Sequence, residues 1–244
     1  MMSTETLLIG GVIFISSLLQ GMFGFAFMLI ALPLLSLLIT VKVAVPLLSL
    51  FLALIAGILT FQHRGEFSYL KIMPLIIGAA FGIPVGIYFL ISSSERLIRF
   101  TLGSVLVAYA VYSLQRKAVL WRLPDWTGYL VGLFAGSLGG AFNITGPPVA
   151  MYLSTQAGSK LNIFASLNFF FFITSVFVVI FHLVAGNITM DIMWTFLKFT
   201  PAMMSGLPVG RYLFRKMPDD KYKSGLYLLL LVMGIMLLIP SLLK

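Results

Sequence analysis

Apolar segments long enough to cross a membrane follow one another along almost the whole chain. Residues 70–91 and 222–243 each reach the ~20 apolar residues with which a helix crosses ~30 Å of hydrocarbon. Only 9% of the 244 residues are charged, whereas soluble domains carry about 25%. The polar surface is too small to coat a water-soluble globule. The sequence therefore predicts an all-α fold, a polytopic transmembrane helical bundle.

Glycine, proline and charged residues divide the chain into eight apolar segments. The first follows Glu5 without a cationic start or a cleavage pattern, so we expect mature structure and not a signal peptide. The absence of cysteine excludes disulfides and thiolate metal sites. The net charge of +9 lies mostly in short loops, where Lys and Arg set topology, so no nucleic acid is expected. The segments are 6–40, 43–62, 70–91, 97–114, 126–155, 161–185, 191–213 and 222–243.

Two of these segments are too long for a single span. Segment 6–40 has about 35 residues and segment 126–155 about 30, where one span needs ~20. Glycines interrupt the middle of each, and a proline follows, and both residue types break or bend helices. We predict that each is two half-length helices joined at a break. Protein or water must surround the breaks, because lipid cannot satisfy open backbone.

The two long segments are copies of one another. Gln20–Pro33 aligns with Ala135–Pro148 at an offset of 115 residues, and Gly82–Tyr88 matches Gly206–Tyr212 at five of seven positions. Because the two blocks recur in the same order and each keeps its internal spacing, we predict two transmembrane repeats, residues 1–120 and 121–244. We expect the second pair of blocks to let helices pack and flex. The identical pairs in the first blocks are Gly21/Gly136, Gly24/Gly139, Ala26/Ala141, Phe27/Phe142 and Pro33/Pro148.

The relative direction of the repeats depends on how often each half crosses the membrane. Four crossings per half give parallel copies with nine of fifteen loop cations inside. A re-entrant first segment gives an odd number of crossings, inverted copies and eleven of fifteen on one side. The positive-inside rule favours two inverted structural repeats with broken or hairpin first segments. The eleven are Arg64, Lys71, Arg116, Lys117, Arg122, Lys160, Arg211, Arg215, Lys216, Lys221 and Lys223, against Lys42, Arg96, Arg99 and Lys244.

Discontinuous helices of inverted repeats form binding sites near the bilayer midplane, where we expect the two breaks to meet. A half-helix that starts at a glycine turn presents free N–H groups and a positive dipole end, which suits a small anion. We predict that glycines at the breaks let a solute approach the backbone. For an isolated glycine pair, tight helix packing is the alternative. The glycines are Gly21, Gly24, Gly136, Gly139 and Gly140.

The second break carries more polar side chains than the first. Ser137, Asn143 and Thr145 lie there, whereas the matching first-half positions are Met22, Met28 and Ile30. Gln20 is the only polar neighbour of the first break. We expect an asymmetric site in which Asn143 and Thr145 hydrogen-bond the solute, or else satisfy a freed backbone carbonyl.

Two further polar residues are candidates within spans. Asn168 lies in the middle of segment 161–185, where it either contacts substrate or bonds between helices. Lys198 either attracts the anion or snorkels to the interface. His63 and His182 lie near helix ends, where a structural role is expected.

None of the seven acidic residues lies deep in a span. Carboxylate-based proton or sodium relays, and carriers of cations or metals, therefore lack their usual residues. No protease constellation and no phosphate-binding loop is present, so we expect no catalytic residues, no cofactor and no enzyme activity. A secondary carrier or a channel-like facilitator for an anion or a neutral solute remains.

The segments Gln20–Leu35 and Gly136–Tyr152 resemble the signature of the sulfite exporter TauE/SafE family, as do the chain length, the two halves and the basic linker Arg116–Arg122. The first copy departs from this signature, with Phe25 where the second has Gly140. The resemblance implies export of sulfite, sulfoacetate or a related organosulfonate across the bacterial inner membrane. The implied partners are this small anion and membrane lipid, with a homo-oligomer left open. The rival hypotheses are transport of another small organic acid and a membrane scaffold without flux.

Overall fold

Helices are the only regular elements in the part of the chain that the computed structural model describes, which is residues 4–114, 123–156 and 159–214 and Ile235. The all-α prediction is confirmed for these residues. The helices are α1 Thr4–Phe23, α2 Phe27–Ser36, α3 Val41–Gln62, α4 Tyr69–Ser92, α5 Glu95–Leu114, α6 Thr127–Phe142, α7 Gly146–Thr155, α8 Lys160–Val184 and α9 Met190–Phe214.

The predicted segments agree with these helices. The bounds of the five segments that correspond to α3, α4, α5, α8 and α9 fall within two residues of the structure. Both over-long segments are divided as predicted, into α1 and α2 and into α6 and α7. The predicted segment 222–243 lies outside the described residues.

Three of the helices are long and apolar enough to cross a membrane. They are Val41–Gln62, Tyr69–Ser92 and Leu161–Val184. The helices on either side of the two breaks are shorter, and Thr6–Met22, Phe27–Ser36 and Thr127–Phe142 qualify as apolar segments of 10–17 residues. Large apolar side chains on α4, such as Leu70 and Phe81, are exposed, which suits contact with lipid.

The chain forms two compact units. The first comprises residues 1–44, 93–118 and 199–244, and the second residues 45–92 and 119–198. Each unit therefore combines segments from both predicted repeats. The division of the sequence at residues 120 and 121 describes the repeat and stays a prediction.

Close backbone contact between α4 and α6 organises the second unit. A Cβ added to Gly82 or Gly86 of α4 would collide with the backbone of α6 at Leu133 or Ser137. The contact is reciprocal, because a Cβ on Gly136 of α6 would lie 2.5 Å from the carbonyl oxygen of Ala79. Glycines on both faces let the two helices approach closely.

The corresponding glycines of the first unit pack α9 on α1. A Cβ on Gly206 would lie 2.5 Å from the carbonyl oxygen of Phe14, and one on Gly210 would collide with Leu18. In return, a Cβ on Gly21 of α1 would collide with the carbonyl of Leu207. The packing role predicted for the Gly82–Tyr88 and Gly206–Tyr212 blocks is therefore confirmed.

Candidate functional site

The first break lies in the first unit, between α1 and α2. It begins at Gly24, whose φ of 77° lies in the left-handed region that glycine adopts without a side-chain penalty. The fully buried Gln20 side chain links the two sides of the break by hydrogen bonds. Its Nε2 donates to the Gly24 carbonyl at 2.8 Å, and its Oε1 accepts from the Phe27 amide at 2.8 Å. Both ends of the Gln20 amide are thus bonded to the backbone of the break.

The second break lies in the second unit, between α6 and α7. It begins at Asn143, the only non-glycine residue with positive φ among those described, at 53°. The Asn143 amide donates back to the Gly139 carbonyl at 2.7 Å and ends α6. Thr145 precedes α7, but its side chain makes no capping hydrogen bond. Among the described residues, no side chain bonds both sides of this break as Gln20 does at the first.

The two breaks do not fall at aligned positions. The repeat offset is 115 residues, whereas the breaks begin at residues 24 and 143, so 143 − 24 = 119 and the second break is four residues later. Prolines explain this shift by about one helical turn. Pro147 and Pro148 stand at the start of α7, where a missing N–H costs little, and so the chain must leave the helix just before them. Pro33 instead lies inside α2.

Backbone donors without acceptors follow the second break. The amides of Ile144 and Thr145 have no acceptor among the described residues, and Gly146, as the first residue of α7, has no earlier turn of its own helix to bond. All three residues are buried. The amides of Ala26 and Met28 at the first break also have no acceptor among the described residues. The helix start alone does not distinguish the breaks, so their side chains must.

Asn143 supplies the distinguishing group, and Ser49 of α3 orients it. Ser49 Oγ donates to the Val45 carbonyl at 2.7 Å, so its lone pairs accept from Asn143 Nδ2, 3.1 Å away. This network fixes which end of the Asn143 amide is the oxygen. Asn143 Oδ1 is buried and has no hydrogen-bond partner among the described residues. An acceptor therefore lies one residue before the unpaired backbone donors.

The candidate glycines of α1 and α6 lie in two kinds of surroundings. Gly21, Gly136 and Gly140 lie against the backbone of a neighbouring helix, the alternative that the sequence left open. Gly139 faces Thr145 instead, and a Cβ there would lie 2.6 Å from Thr145 Cγ2. Direct contact of any of them with a solute stays a prediction.

The remaining candidates are placed as follows. Ser137 is half-buried, and its hydroxyl donates to the Leu133 carbonyl of its own helix at 3.0 Å. Asn168 is fully buried in α8, donates from Nδ2 to the Phe164 carbonyl at 2.8 Å and leaves Oδ1 unpartnered. Lys198 is exposed on α9, and both hypotheses for it stay open.

Ser49 is the residue that the sequence did not identify. It lies on an apolar helix and bonds its own preceding turn, as do Ser92 and Ser154. Nothing local distinguishes it from those serines. Its contact with a residue 94 positions away becomes visible only in the fold.

The second break thus presents neutral donors and one neutral acceptor inside an apolar unit. No acidic side chain occurs in α6 or α7, so these two helices place no negative side chain beside an anion bound there. Unpaired backbone N–H groups at the start of a helix are a common binding site for small anions.

Comparison with known proteins agrees with this chemistry. Residues 9–237 match the family model described as sulfite exporter TauE/SafE. No curated protein and no solved structure matches the chain. The family match and the long apolar helices together show that this chain is a multi-pass membrane protein. The match covers nearly the whole chain, so the protein belongs to the sulfite exporter TauE/SafE family of membrane transporters of sulfur-containing anions.

Proposed function

We propose that this protein is a secondary transporter that exports sulfite or a small organosulfur anion across the bacterial inner membrane. We place the binding site at the second break. The observation that carries the proposal is the buried Asn143 Oδ1, unpartnered beside the uncapped start of α7. An unmet buried acceptor next to unmet buried donors is costly for folding alone, and a bound solute relieves that cost.

The donors favour an anion over a neutral solute. The amides of Ile144, Thr145 and Gly146 lie at the start of α7, the positive end of its dipole, and this position favours negative charge. The two prolines that follow have no N–H, so the donors are confined to the break itself. A short row of donors suits a compact oxoanion better than an extended one.

The acceptor favours an anion that still carries a proton. Asn143 Nδ2 is engaged by Ser49, so Oδ1 is the atom left for the solute, and it accepts only from an O–H or N–H. A monoprotonated anion such as hydrogensulfite offers both charged oxygens and one O–H. Such a solute also carries its own proton, which accounts for transport without a carboxylate relay.

Charge distribution supports the orientation. Eleven loop cations against four favours inverted repeats and places the basic linker in the cytoplasm. The inverted arrangement remains part of the proposal.

Purified protein in proteoliposomes tests the function. We expect uptake of labelled sulfite that unlabelled sulfite competes away and that Asn143→Gly reduces. Glycine is chosen because it keeps the left-handed backbone that an alanine would strain. Uptake of another organic acid without sulfite uptake would assign a different substrate, and no flux of any anion would leave a scaffold role. Sulfite transport that does not vary with pH would remove the protonated form from the proposal.

A further inference from the structure

Gly139 of α6 lacks a side chain for a reason that differs from that of its neighbours in the helix. Its backbone is helical, and it is not among the residues with positive φ, so no turn requires glycine there. A Cβ on Gly136 or Gly140 would collide with the backbone of α4, but one on Gly139 would not. Glycine destabilises a helix interior relative to alanine. Neither backbone conformation nor close helix packing therefore accounts for this glycine.

The space beside Gly139 is occupied by the methyl group of Thr145. A Cβ on Gly139 would lie 2.6 Å from Thr145 Cγ2, whereas Thr145 Oγ1 lies more than 4 Å from the same point. The methyl group thus faces α6, and the hydroxyl is turned away from Gly139. Because threonine is branched at Cβ, the position of its methyl group also fixes the position of its hydroxyl.

The hydroxyl of Thr145 cannot cap α7. A threonine directly before a helix usually accepts from the amide of the second or third helical residue. In α7 these residues are Pro147 and Pro148, which have no N–H. The Thr145 side chain makes no capping hydrogen bond, and it has no other hydrogen-bond partner among the described residues. A hydroxyl that the fold does not use thus lies directly at the second break.

We propose that Gly139 is a positioning residue for the solute at the second break. The room left by its missing side chain holds the Thr145 methyl group and so fixes the rotamer in which the Thr145 hydroxyl donates to the bound anion. Turning the methyl group away from Gly139 would move the hydroxyl by about 120°. The inference rests on the proposed function and adds how this donor is held. Gly139 acts through Thr145 and needs no contact of its own with the solute.

Alanine at position 139 separates this role from helix packing. The added Cβ would meet only the end of a side chain that can rotate, so we expect the unfolding temperature not to fall. Sulfite affinity should fall at least about fivefold, the loss of one hydrogen bond. Gly136→Ala in the same helix is the matched control, because its Cβ would meet the carbonyl of Ala79. That variant should lower the unfolding temperature more than the affinity.

Variants of Thr145 show whether Gly139 acts through this side chain. Thr145→Val keeps the branched shape without the hydroxyl, and sulfite affinity should fall at least about fivefold. Thr145→Ser keeps the hydroxyl and removes the methyl group, so adding Gly139→Ala to it should change the affinity by less than about twofold. A loss from Gly139→Ala of the same size with and without Thr145→Ser would overturn the proposal. A Gly139→Ala protein that does not fold would also overturn it.

The rotamer of Thr145 is measurable without any solute. Three-bond couplings of its methyl carbon in nuclear magnetic resonance spectra of the protein in nanodiscs report χ1, and Gly139→Ala should change them. A changed rotamer in a protein that binds no sulfite would overturn the proposed substrate and leave the hold of Gly139 on Thr145 standing. Sulfite binding with an unchanged rotamer in Gly139→Ala would overturn the role of Gly139 and leave the proposed substrate standing.

Discussion

The two breaks arise from copies of one segment, yet they satisfy their backbone differently. At the first, Gln20 bonds the Gly24 carbonyl and the Phe27 amide, so the only nearby polar side chain is consumed by the fold. At the second, the aligned residue is Ala135, and Asn143 turns its nitrogen to Ser49 and leaves its oxygen unpartnered. The polar side chain of the first break is therefore fully hydrogen-bonded, whereas that of the second break keeps an unpartnered oxygen. We propose that this difference makes the second copy the one that binds the solute.

Removing the Gln20 side-chain amide, which bonds both sides of the first break, has the largest expected effect on stability. Gln20→Met keeps the side-chain volume but strands two buried backbone groups, at about 1–3 kcal/mol each. We expect the free energy of unfolding in detergent to fall by about 2–6 kcal/mol. Sulfite affinity of the folded fraction should not change. Wild-type stability with weakened sulfite binding would reverse the roles of the two breaks.

Gly21 and Gly136, which lie against the backbone of a neighbouring helix, are expected to affect stability more than affinity. Gly136→Ala places a Cβ against the backbone of α4 and should cost about 1–3 kcal/mol in unfolding free energy. Gly11→Ala is the matched control, since nothing lies within 4 Å of a Cβ there and a helical alanine is favoured by up to about 1 kcal/mol. If Gly136→Ala leaves stability intact but abolishes binding, the packing role assigned to this glycine is wrong.

The side chains of Asn143 and Thr145 at the second break are expected to contribute to sulfite affinity. Asn143→Gly and Thr145→Ala should each weaken sulfite binding by about 1–3 kcal/mol if these side chains bond the solute. Isothermal titration of the purified variants measures this. A double variant that binds as tightly as the natural protein would dismiss the second break as the site.

The smallest expected effect belongs to Ser49. Ser49→Ala removes the acceptor that orients Asn143 Nδ2, and sulfite affinity should fall by up to about 1 kcal/mol. Ser49→Thr keeps the hydroxyl and should restore binding in the same titration. A loss as large as that of Asn143→Gly would mean that Ser49 itself contacts the solute.

Hydropathy and proline patterns predicted the helices and the existence of both breaks, because span length and proline sterics act locally. They did not predict that the second break lies one turn later, because both copies carry a proline at the aligned positions 33 and 148, and the effect of the additional Pro147 shows only in where α7 begins. The pairing of Ser49 with Asn143 depends on two helices packing together.

A structure with bound selenite, a pyramidal oxoanion like sulfite, tests whether the solute binds at the second break, since selenium is located by anomalous scattering. We predict a selenium peak within hydrogen-bonding reach of the amides of Ile144 to Gly146 and of Asn143 Oδ1. A peak at Gly24–Phe27 with none at the second break would contradict it.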